Sequence, residues 1–424
     1  MGTRHIRDSR EEGKQEGHTK MNPKPTPSDD VANLLTIPTS RREALKALTA
    51  TAVGVPLALG SIGTTFASPK LPLTSGQVHT ASGQAEDIVA IAQKVMQQND
   101  LQAVIFSVSI GNQNIVTTAL GQSMTGVPAT TQMHFRIGSV AIAYLTTLLL
   151  QLVDQRRVHL DDRLSTWFPA LPQAESITLR MLAETRSGYA DFVPLIGEAV
   201  DAAPFRAWSQ QELLQTALSK PLQHPPGASF TYAHTNFVIL GMVLQKITGK
   251  PVATLMHERI LAPLGLQETE SSSTPDIRPP VLHAFTSERG RYEESTFWNP
   301  SWTLATGAIM TSTIEDVRKS AIAIGEGTLL SPASHQEQIA PVSLLSPPGQ
   351  PKAYYGMGVF TVNSWVVQNP LFSGYNAVMA YLPSEKIAIA VTTTLGEKSS
   401  SSTNYSTPIF ESIGTYLAPD HPPS

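Results

Sequence analysis

Strand-like segments lie at both ends of the main body of this chain, and helical segments lie between them. Apolar and polar residues alternate over 104–110, and two further strand patterns, 377–382 and 387–394, are joined by a turn at 383–386. Helical periodicity occurs in four intervening segments, at about 140–155, 210–219, 235–248 and 252–261. Strands from the two ends of one domain can pair and close a single sheet. We therefore expect an α/β fold of the α+β type, in which an antiparallel sheet accepts a helical insertion at about 140–300.

Two more helical patterns flank these strands and mark the limits of the domain. Residues 87–98 place apolar side chains on one stripe, and a last helix is predicted near 407–417. Before the first helix, residues 68–84 are rich in Pro, Ser, Thr and Gly, a composition typical of a linker. The sequence thus predicts one domain over 85–418, with N- and C-terminal helices flanking the sheet. A ligand site is expected in the groove between the sheet and the all-helical region.

The segment before this linker has the layout of a bacterial export signal. A charged stretch precedes the paired Arg41 and Arg42, and an uncharged apolar run follows from Ala47 to Ala67. The arginine pair resembles a twin-arginine signal, the kind that carries folded proteins. The apolar run is also about long enough, at roughly 20 residues, for a single membrane-anchoring helix. We predict a disordered leader and a cleaved signal over 1–67. The protein is then exported (extracellular, periplasmic or attached to the cell wall), and it contacts a membrane only if the signal stays uncleaved.

The composition excludes several kinds of chemistry. The 424 residues include no cysteine, which excludes disulfides, thiolate zinc sites, iron–sulfur clusters and a cysteine nucleophile. A formal net charge of −4 gives no basic excess for a phosphate backbone, so no nucleic-acid partner is expected. His257 and Glu258 begin a zinc-helix pattern, but Leu261 occupies the place of the second histidine. We therefore predict neither a metal site nor a cofactor.

Ser139 is the first candidate for chemistry. It ends the strand-like stretch 135–139, which reads Phe-Arg-Ile-Gly-Ser, and stands just before a helix that begins at Val140. A serine in this place has a plain structural explanation, because an N-cap hydroxyl satisfies free backbone donors and contributes about 1 kcal/mol. From the spacing alone, the cap is the more common role and the nucleophile is the alternative.

The same stretch opens a series of blocks that resemble the penicillin-recognising serine hydrolases, the group of class C β-lactamases, D,D-peptidases and related esterases. The later blocks follow in that family's order: 150–154, 160–162, 177–182, Ser187-Gly188-Tyr189, Pro226-Gly227, Phe230-Thr231-Tyr232, 235–241, 260–266, 307–317 and 374–382. The resemblance covers most of 85–415. It implies a β-lactamase/transpeptidase-like fold with Ser139 as the nucleophile of acyl transfer.

The family's first motif, Ser-x-x-Lys, is incomplete in this chain. Its lysine lies one helical turn after the serine, touches the hydroxyl and helps to remove its proton. Here that position is Ile142, and no lysine anywhere in the chain follows a serine or threonine by three residues. Isoleucine can neither accept a proton nor hold a positive charge beside the serine. The resemblance therefore implies a nucleophile that has lost its usual activating group.

The second motif, Tyr-x-Asn, survives in part as Tyr232-Ala233-His234. By resemblance Tyr232 is a base or a proton shuttle. His234 replaces the amide donor, and two interpretations of it stay open. An imidazole can donate a hydrogen bond and titrates near neutrality, so it can serve as a general base. It can equally cap the helix predicted at 235–248.

The third motif is Lys-Thr-Gly or His-x-Gly, and in the family it lies on the strand that walls the groove and supplies an oxyanion donor. Counted back from Gly374, the matching span is about 368–370, which reads Gln-Asn-Pro, and neither motif occurs in the chain. Proline has no N–H and cannot continue the middle of a strand. The resemblance implies that Asn369, Gly374 and Tyr375 line the binding side of the groove.

Two functions from different classes follow. The first is an exported β-lactamase-related serine hydrolase that cleaves acyl esters or peptide and other amide bonds through Ser139, with Tyr232 and His234 as proton-handling groups. The second is a catalytically degenerate relative that binds a ligand or partner, because Ile142 replaces the lysine. The expected partner is a small-molecule or peptide acyl substrate, or a cell-wall-like ligand.

Overall fold

The structure is a computed structural model, and it describes residues 81–345 and 352–423. The predicted leader and export signal, 1–67, lie outside the described residues, so their interpretation stays a prediction. The described part combines one large antiparallel sheet with helices, as expected for an α/β fold of the α+β type.

The strands are numbered along the described chain. They are β1 Leu101–Ile110, β2 Gln113–Met124, β3 Val127–Pro128, β4 Phe135–Arg136, β5 Glu270–Ser271, β6 Phe285–Thr286, β7 Glu293–Glu294, β8 Met310–Ser312, β9 Ser343–Leu344, β10 Ala353–Tyr355, β11 Phe360–Val362, β12 Trp365–Gln368, β13 Leu371–Phe372, β14 Tyr375–Leu382 and β15 Ile387–Leu395. The large sheet has the order β3-β2-β1-β15-β14-β12-β11-β10-β9, and β13 also pairs with β14. Two small sheets, with the strand orders β4-β8-β5 and β6-β7, are separate from the large one.

The first and last long strands pair near the centre of the large sheet. β1 runs antiparallel to β15, with Phe106 opposite Val391, and β15 pairs along its other edge with β14. Every residue of β14 and β15 is buried. Such complete burial requires cover on both faces of the sheet, which also explains the nearly continuous apolar sequence of these strands. The predicted closure of the sheet by the N- and C-terminal segments is confirmed.

The α-helices of the described residues cover the sheet and form most of the region between its first and last strands. They are α1 Ala81–Gln98, α2 Val140–Asp154, α3 Leu179–Ala183, α4 Val193–Ala202, α5 Gln210–Leu218, α6 His234–Thr248, α7 Val252–Met256, α8 Ala262–Leu264, α9 Ile314–Glu326, α10 Pro332–Gln338 and α11 Ser406–Leu417. α1 and α11 pack against each other, and α9 packs on β14 and β15. α2 is an interior helix, since twelve of its fifteen residues are buried, and it contacts α6 and α10.

The segment predicted as one helix over 252–261 is divided in the structure. α7 ends at Met256, and a π-helical turn over His257–Leu261 joins it to α8. Pro263 follows this turn and has no N–H to donate to a carbonyl one turn earlier, so regular α-helical bonding fails here.

No single helix in the described part of the chain is long and apolar enough to cross a membrane. A bent pair, His234–Thr248 followed by Val252–Leu264 at 81°, reaches the length and composition of a span only when its helices are taken together. Nine residues of the first helix of this pair are buried in the core.

Candidate active site

Ser139 stands at a tight turn between β4 and α2. β4 is held by its pairing with β8, and the chain then turns through Gly138, whose φ of +45° lies in the left-handed region. A Cβ atom at Gly138 would lie 2.7 Å from the Cβ of Pro370, so space as well as conformation requires glycine. The turn thus places Ser139 at the start of an interior helix and next to the loop that carries Pro370.

The hydroxyl of Ser139 does not cap the helix. Ser139 occupies the N-cap position of α2, but its φ of −68° and ψ of −4° are already helical, and its side chain makes no capping hydrogen bond. An N-cap residue needs extended backbone to aim its oxygen at the first turn. The hydroxyl instead interacts with the phenol of Tyr232 and acts to lower its pKa. The interpretation of Ser139 as an ordinary cap is therefore wrong, and the two candidate residues of the first and second motifs meet.

Aromatic rings surround the phenol of Tyr232. Phe360 stacks on its ring at a centroid distance of 6.2 Å, and the rings of Tyr355 and His234 meet it edge-on at 5.9 and 5.2 Å. Burial raises the pKa of Tyr232 well above the ordinary value for tyrosine, and the charge of Asp191 raises it further, while the interaction with the Ser139 hydroxyl acts to lower it. At neutral pH Tyr232 is therefore a phenol, which donates and accepts hydrogen bonds, and is not a phenolate base.

Ile142 fills the place of the motif lysine with hydrocarbon. It lies one turn after Ser139 on α2, is 0% exposed and belongs to the hydrophobic core. Its carbonyl oxygen packs closely on Gly358, where a Cβ atom would be only 3.0 Å away. Apolar surroundings disfavour the charged form of a hydroxyl, so this side of the site does nothing to ionise Ser139.

The span that matches the third motif lies at the end of β12. Gln368 is the last residue of that strand and is fully buried; its Nε2 donates to the carbonyl of Gly358, whereas its Oε1 has no partner among the described residues. Asn369 and Pro370 follow outside the strands, so the proline interrupts no ladder. Their two carbonyls accept hydrogen bonds from the side-chain amide of Asn404, at 3.0 and 2.9 Å. This amide and the backbone N–H of Ala377 in β14, which donates to the carbonyl of Pro370 at 2.9 Å, together hold the backbone beside Gly138.

Gly374 and Tyr375 carry structural roles. Gly374 has a φ of +92°, and a Cβ atom there would lie 2.3 Å from the carbonyl oxygen of Phe285. Tyr375 is buried, and its hydroxyl donates to the carbonyl of Leu282 at 2.6 Å. The hydroxyl of Tyr375 is thus already engaged inside the protein. A ligand-binding role for these two residues and for Asn369 stays a prediction.

A carboxylate outside the family motifs holds His234. α6 begins at His234, after the N-cap residue Ala233, and Asp191 Oδ1 accepts the backbone N–H of His234 at 3.0 Å. The ring Nδ1 lies 3.1 Å from Asp191 Oδ2. The interpretation of His234 as the helix cap is therefore wrong, since the acceptor is Asp191. Sequence reasoning missed this carboxylate because 43 residues separate the pair and no local spacing rule connects them.

A protein-family model described as Beta-lactamase matches residues 88–407. The chain belongs to the β-lactamase family. The match extends from α1 to the start of α11, so it includes both the large sheet and the helices inserted into it. The resemblance to the penicillin-recognising serine hydrolases is confirmed.

Curated relatives of this family member match it over part of their length. Penicillin-binding protein 4 of Amycolatopsis lactamdurans is 28% identical over 184 residues, which are 42% of this chain and 46% of the relative. The D-alanyl-D-alanine-carboxypeptidase/endopeptidase AmpH of Escherichia coli (strain K12) is 30% identical over 174 residues, or 39% of this chain and 44% of the relative. The chain thus spans about half the length of these curated relatives.

Solved structures resemble the chain over almost their whole length. A D-stereospecific amidohydrolase from Streptomyces sp. has a TM-score of 0.68 at 21% identity, over 79% of this chain and 98% of that protein. A D-amino acid amidase from Ochrobactrum anthropi SV3, complexed with L-phenylalanine amide, has a TM-score of 0.69 at 23% identity, over 80% and 99%. At these identities the likeness establishes the fold, which is that of a β-lactamase-related serine hydrolase.

Proposed function

We propose that this protein is an exported serine hydrolase that cleaves small acyl esters and amides through Ser139, more slowly than relatives that keep the motif lysine. The observation that carries the proposal is that Ser139, at the start of α2, makes no capping bond and interacts with the phenol of Tyr232. A nucleophile and a group that can move its proton are thus neighbours, which is the arrangement that covalent acyl transfer requires. Export is proposed from the paired Arg41 and Arg42 and the apolar run after them.

Tyr232 can act as a relay without becoming a free phenolate. As Ser139 Oγ bonds to the acyl carbon, its proton passes to the phenol oxygen. The phenol's own proton goes to the departing alcohol or amine as the bond from the acyl carbon to that group breaks. The products are an acyl ester of Ser139 and a neutral leaving group, so no charge remains on the buried ring.

This relay is expected to be slow. Positioned general bases contribute about 10²- to 10⁴-fold to a rate, but burial raises the pKa of Tyr232, so the phenol keeps its own proton and is a weak base toward the proton of Ser139. Ile142 supplies no group that could remove the proton instead. Esters are therefore the favoured substrates, because they need less assistance to lose their leaving group than amides do.

The similar structures support small acyl compounds as substrates. The amidase of Ochrobactrum anthropi was solved with an amino acid amide, and the amidohydrolase of Streptomyces is described as D-stereospecific. An ester or amide of a single amino acid is thus the first substrate to test. Cell-wall-like peptides are the second, because penicillin-binding protein 4 and AmpH are among the similar sequences.

A second candidate function is ligand binding without turnover. The observation that favours it is Ile142, which is 0% exposed and leaves no room for polar chemistry one turn after Ser139. The fold would then keep the shape of the site and bind an acyl compound or a cell-wall-like ligand without cleaving it.

A fluorophosphonate probe separates the two candidates, because it reacts with an activated serine and leaves a stable adduct. A hydrolase is expected to form one adduct, located at Ser139 by mass spectrometry. Ser139→Ala should abolish the adduct, and Tyr232→Phe should slow its formation by about 10-fold or more, since the phenylalanine keeps the ring but cannot relay a proton.

The binding function predicts a different pattern. The folded wild-type protein would then form no adduct at Ser139 after hours with the probe. Its affinity for an amino acid ester, measured by calorimetry, would be unchanged in Ser139→Ala. That pair of results would refute the hydrolase proposal.

A further inference from the structure

Asp191 makes three close contacts to His234 at the start of α6 and one to Val193 at the start of α4. Its Oδ1 accepts the backbone N–H of His234 at 3.0 Å and that of Val193 at 3.3 Å. The ring Nδ1 of His234 lies 3.1 Å from Oδ2 and 3.3 Å from Oδ1. The His234 side chain is 23% exposed and that of Asp191 is 15% exposed, so the pair is largely removed from solvent. Contacts this numerous hold the imidazole in one orientation.

We propose that Asp191 is a positioning residue that fixes His234 with Nδ1 protonated and with Nε2 free to accept a proton from the water that releases the acyl group from Ser139. This inference rests on the proposed function and assigns its second half-reaction. Neither Asp191 nor a histidine base belongs to the motifs by which the chain resembles its family.

The tautomer follows from the chemistry of the partner. An ionised carboxylate can only accept hydrogen bonds, so the nitrogen that faces it must carry the proton. A neutral imidazole has one N–H, and the lone pair is therefore on Nε2. Nε2 has no hydrogen-bond partner among the described residues and is not one of their fully buried atoms, so water can reach it.

His234 lies next to Tyr232, the residue that interacts with the nucleophile. The two rings meet edge-on at 5.2 Å, and the phenol interacts with the hydroxyl of Ser139. The third ring beside the imidazole is that of Phe192, at 6.1 Å. Among the described residues, Asp191 and Tyr232 are the titratable side chains that an ion pair or a ring contact joins to the imidazole.

Water, His234 and Ser139 account for every proton and bond of the release step. Nε2 takes one proton of the water as the water oxygen bonds to the acyl carbon. The bond from the acyl carbon to Ser139 Oγ then breaks, and Oγ keeps its electron pair and receives the proton that His234 held. The products are a free acid and the original serine, with His234 neutral again.

Asp191 also has a purely structural explanation, because a carboxylate at a helix N-terminus satisfies orphan N–H groups and is favoured there by the helix dipole. Asp191→Asn separates this explanation from positioning. The asparagine oxygen can still accept the backbone N–H of His234. Its amide NH₂ group, however, donates to Nδ1 and forces the imidazole proton onto Nε2.

The tautomer and the release rate are measured on the full-length protein. In wild type, ¹⁵N NMR of labelled histidine should show His234 protonated at Nδ1, and in Asp191→Asn at Nε2. Release of an acyl group from Ser139, followed in single turnover with a p-nitrophenyl ester, should slow on the order of 100-fold in Asp191→Asn. Acylation, read from the p-nitrophenol burst, should change much less. Glu198→Gln removes an exposed carboxylate from the same part of the chain and should alter neither measurement.

His234→Gln keeps Asp191 as the cap and removes the imidazole, so it tests the same step if Asp191→Asn does not fold. It should slow release to a similar extent. Unchanged release in a folded Asp191→Asn or His234→Gln variant would overturn the inference. Absence of any acyl adduct on wild-type Ser139 would instead refute the proposed hydrolase, whatever the tautomer.

Discussion

Replacing Ile142 by lysine tests whether the missing amine is what limits this site. α2 carries Ile142 one turn after Ser139, on the same side of the helix, and the hydroxyl of Ser139 interacts with the phenol of Tyr232. An amine introduced there meets two hydroxyl groups that can hydrogen-bond to it. We therefore expect Ile142→Lys to speed the reaction of Ser139 while it destabilises the fold.

The loss of stability can be worked out from burial. Ile142 is 0% exposed, and full burial of an isoleucine side chain is worth about 1.5–3 kcal/mol. Burying an amine adds a desolvation cost of about 1–3 kcal/mol where its hydrogen bonds are only partly replaced. Urea unfolding of Ile142→Lys should therefore give a free energy of unfolding about 2.5–6 kcal/mol below that of wild type. Ile142→Met, which keeps the site apolar, should lose less than about 1.5 kcal/mol.

The gain in reactivity is measured as the pseudo-first-order rate of fluorophosphonate labelling. A buried amine gives up its proton readily and can then take the proton of Ser139, so the rate should rise by about 10²- to 10⁴-fold. Ile142→Met is the matched control, since it has a long flexible side chain without an amine, and its labelling rate should stay at the wild-type level. A folded Ile142→Lys protein that labels no faster than Ile142→Met would refute the reasoning. So would a wild-type protein that already labels as fast as lysine-containing relatives.

Two further predictions concern the pH dependence of stability and the backbone turn at Gly138. Burial, and to a smaller extent the charge of Asp201, raises the pKa of Glu288 from 4.5 to about 7. Between these two pH values the folded state binds more protons than the unfolded state, so the stability of the protein falls as the pH rises from about 4.5 to 7. Glu288→Gln removes the cost of ionising this buried carboxyl. Thermal unfolding should show the variant to be more stable than wild type by about 1–3 kcal/mol at pH 8 and by little at pH 4. An equal effect at both pH values would contradict the argument. Gly138→Ala places a Cβ atom on a residue whose φ is +45° and 2.7 Å from the Cβ of Pro370. The variant should lose about 1–3 kcal/mol of stability in urea unfolding, and its Ser139 should be labelled more slowly. Wild-type stability would show that the turn can shift freely.

Most long elements of this fold could be predicted from sequence and the short ones could not, although α9, a helix of thirteen residues, has no counterpart among the predicted helices. β14 and β15 are largely apolar runs joined by a polar turn, and α2 and α6 have sustained helical periodicity. β4 and β13 have two residues each, too few for any periodic pattern, and they form only because neighbouring segments hold them. These two short strands are the ones that bring Ser139 and Pro370 together.

In the site too, residues in motifs of fixed spacing could be predicted, and contacts between residues far apart in the sequence could not. Ser139 and Tyr232 lie in motifs with fixed spacing, so the sequence identifies them, and the structure brings them into contact. The role of Ser139 as a cap depended on its backbone conformation, which spacing does not determine. Asp191 contacts His234 only because the loop before α4 docks on the start of α6, where Thr235 Oγ1 donates to the carbonyl of Ala190. A contact between two loops leaves no periodic trace in the sequence.

The position of β15 has a consequence for biosynthesis. This strand occupies the middle of the large sheet, yet it is the last of the described strands along the chain, so the ribosome makes it after the others. Until it emerges, β1 and β14 have exposed edges that can pair with other chains. The sheet therefore cannot close while β15 is missing, and the incomplete domain is open to aggregation during that time.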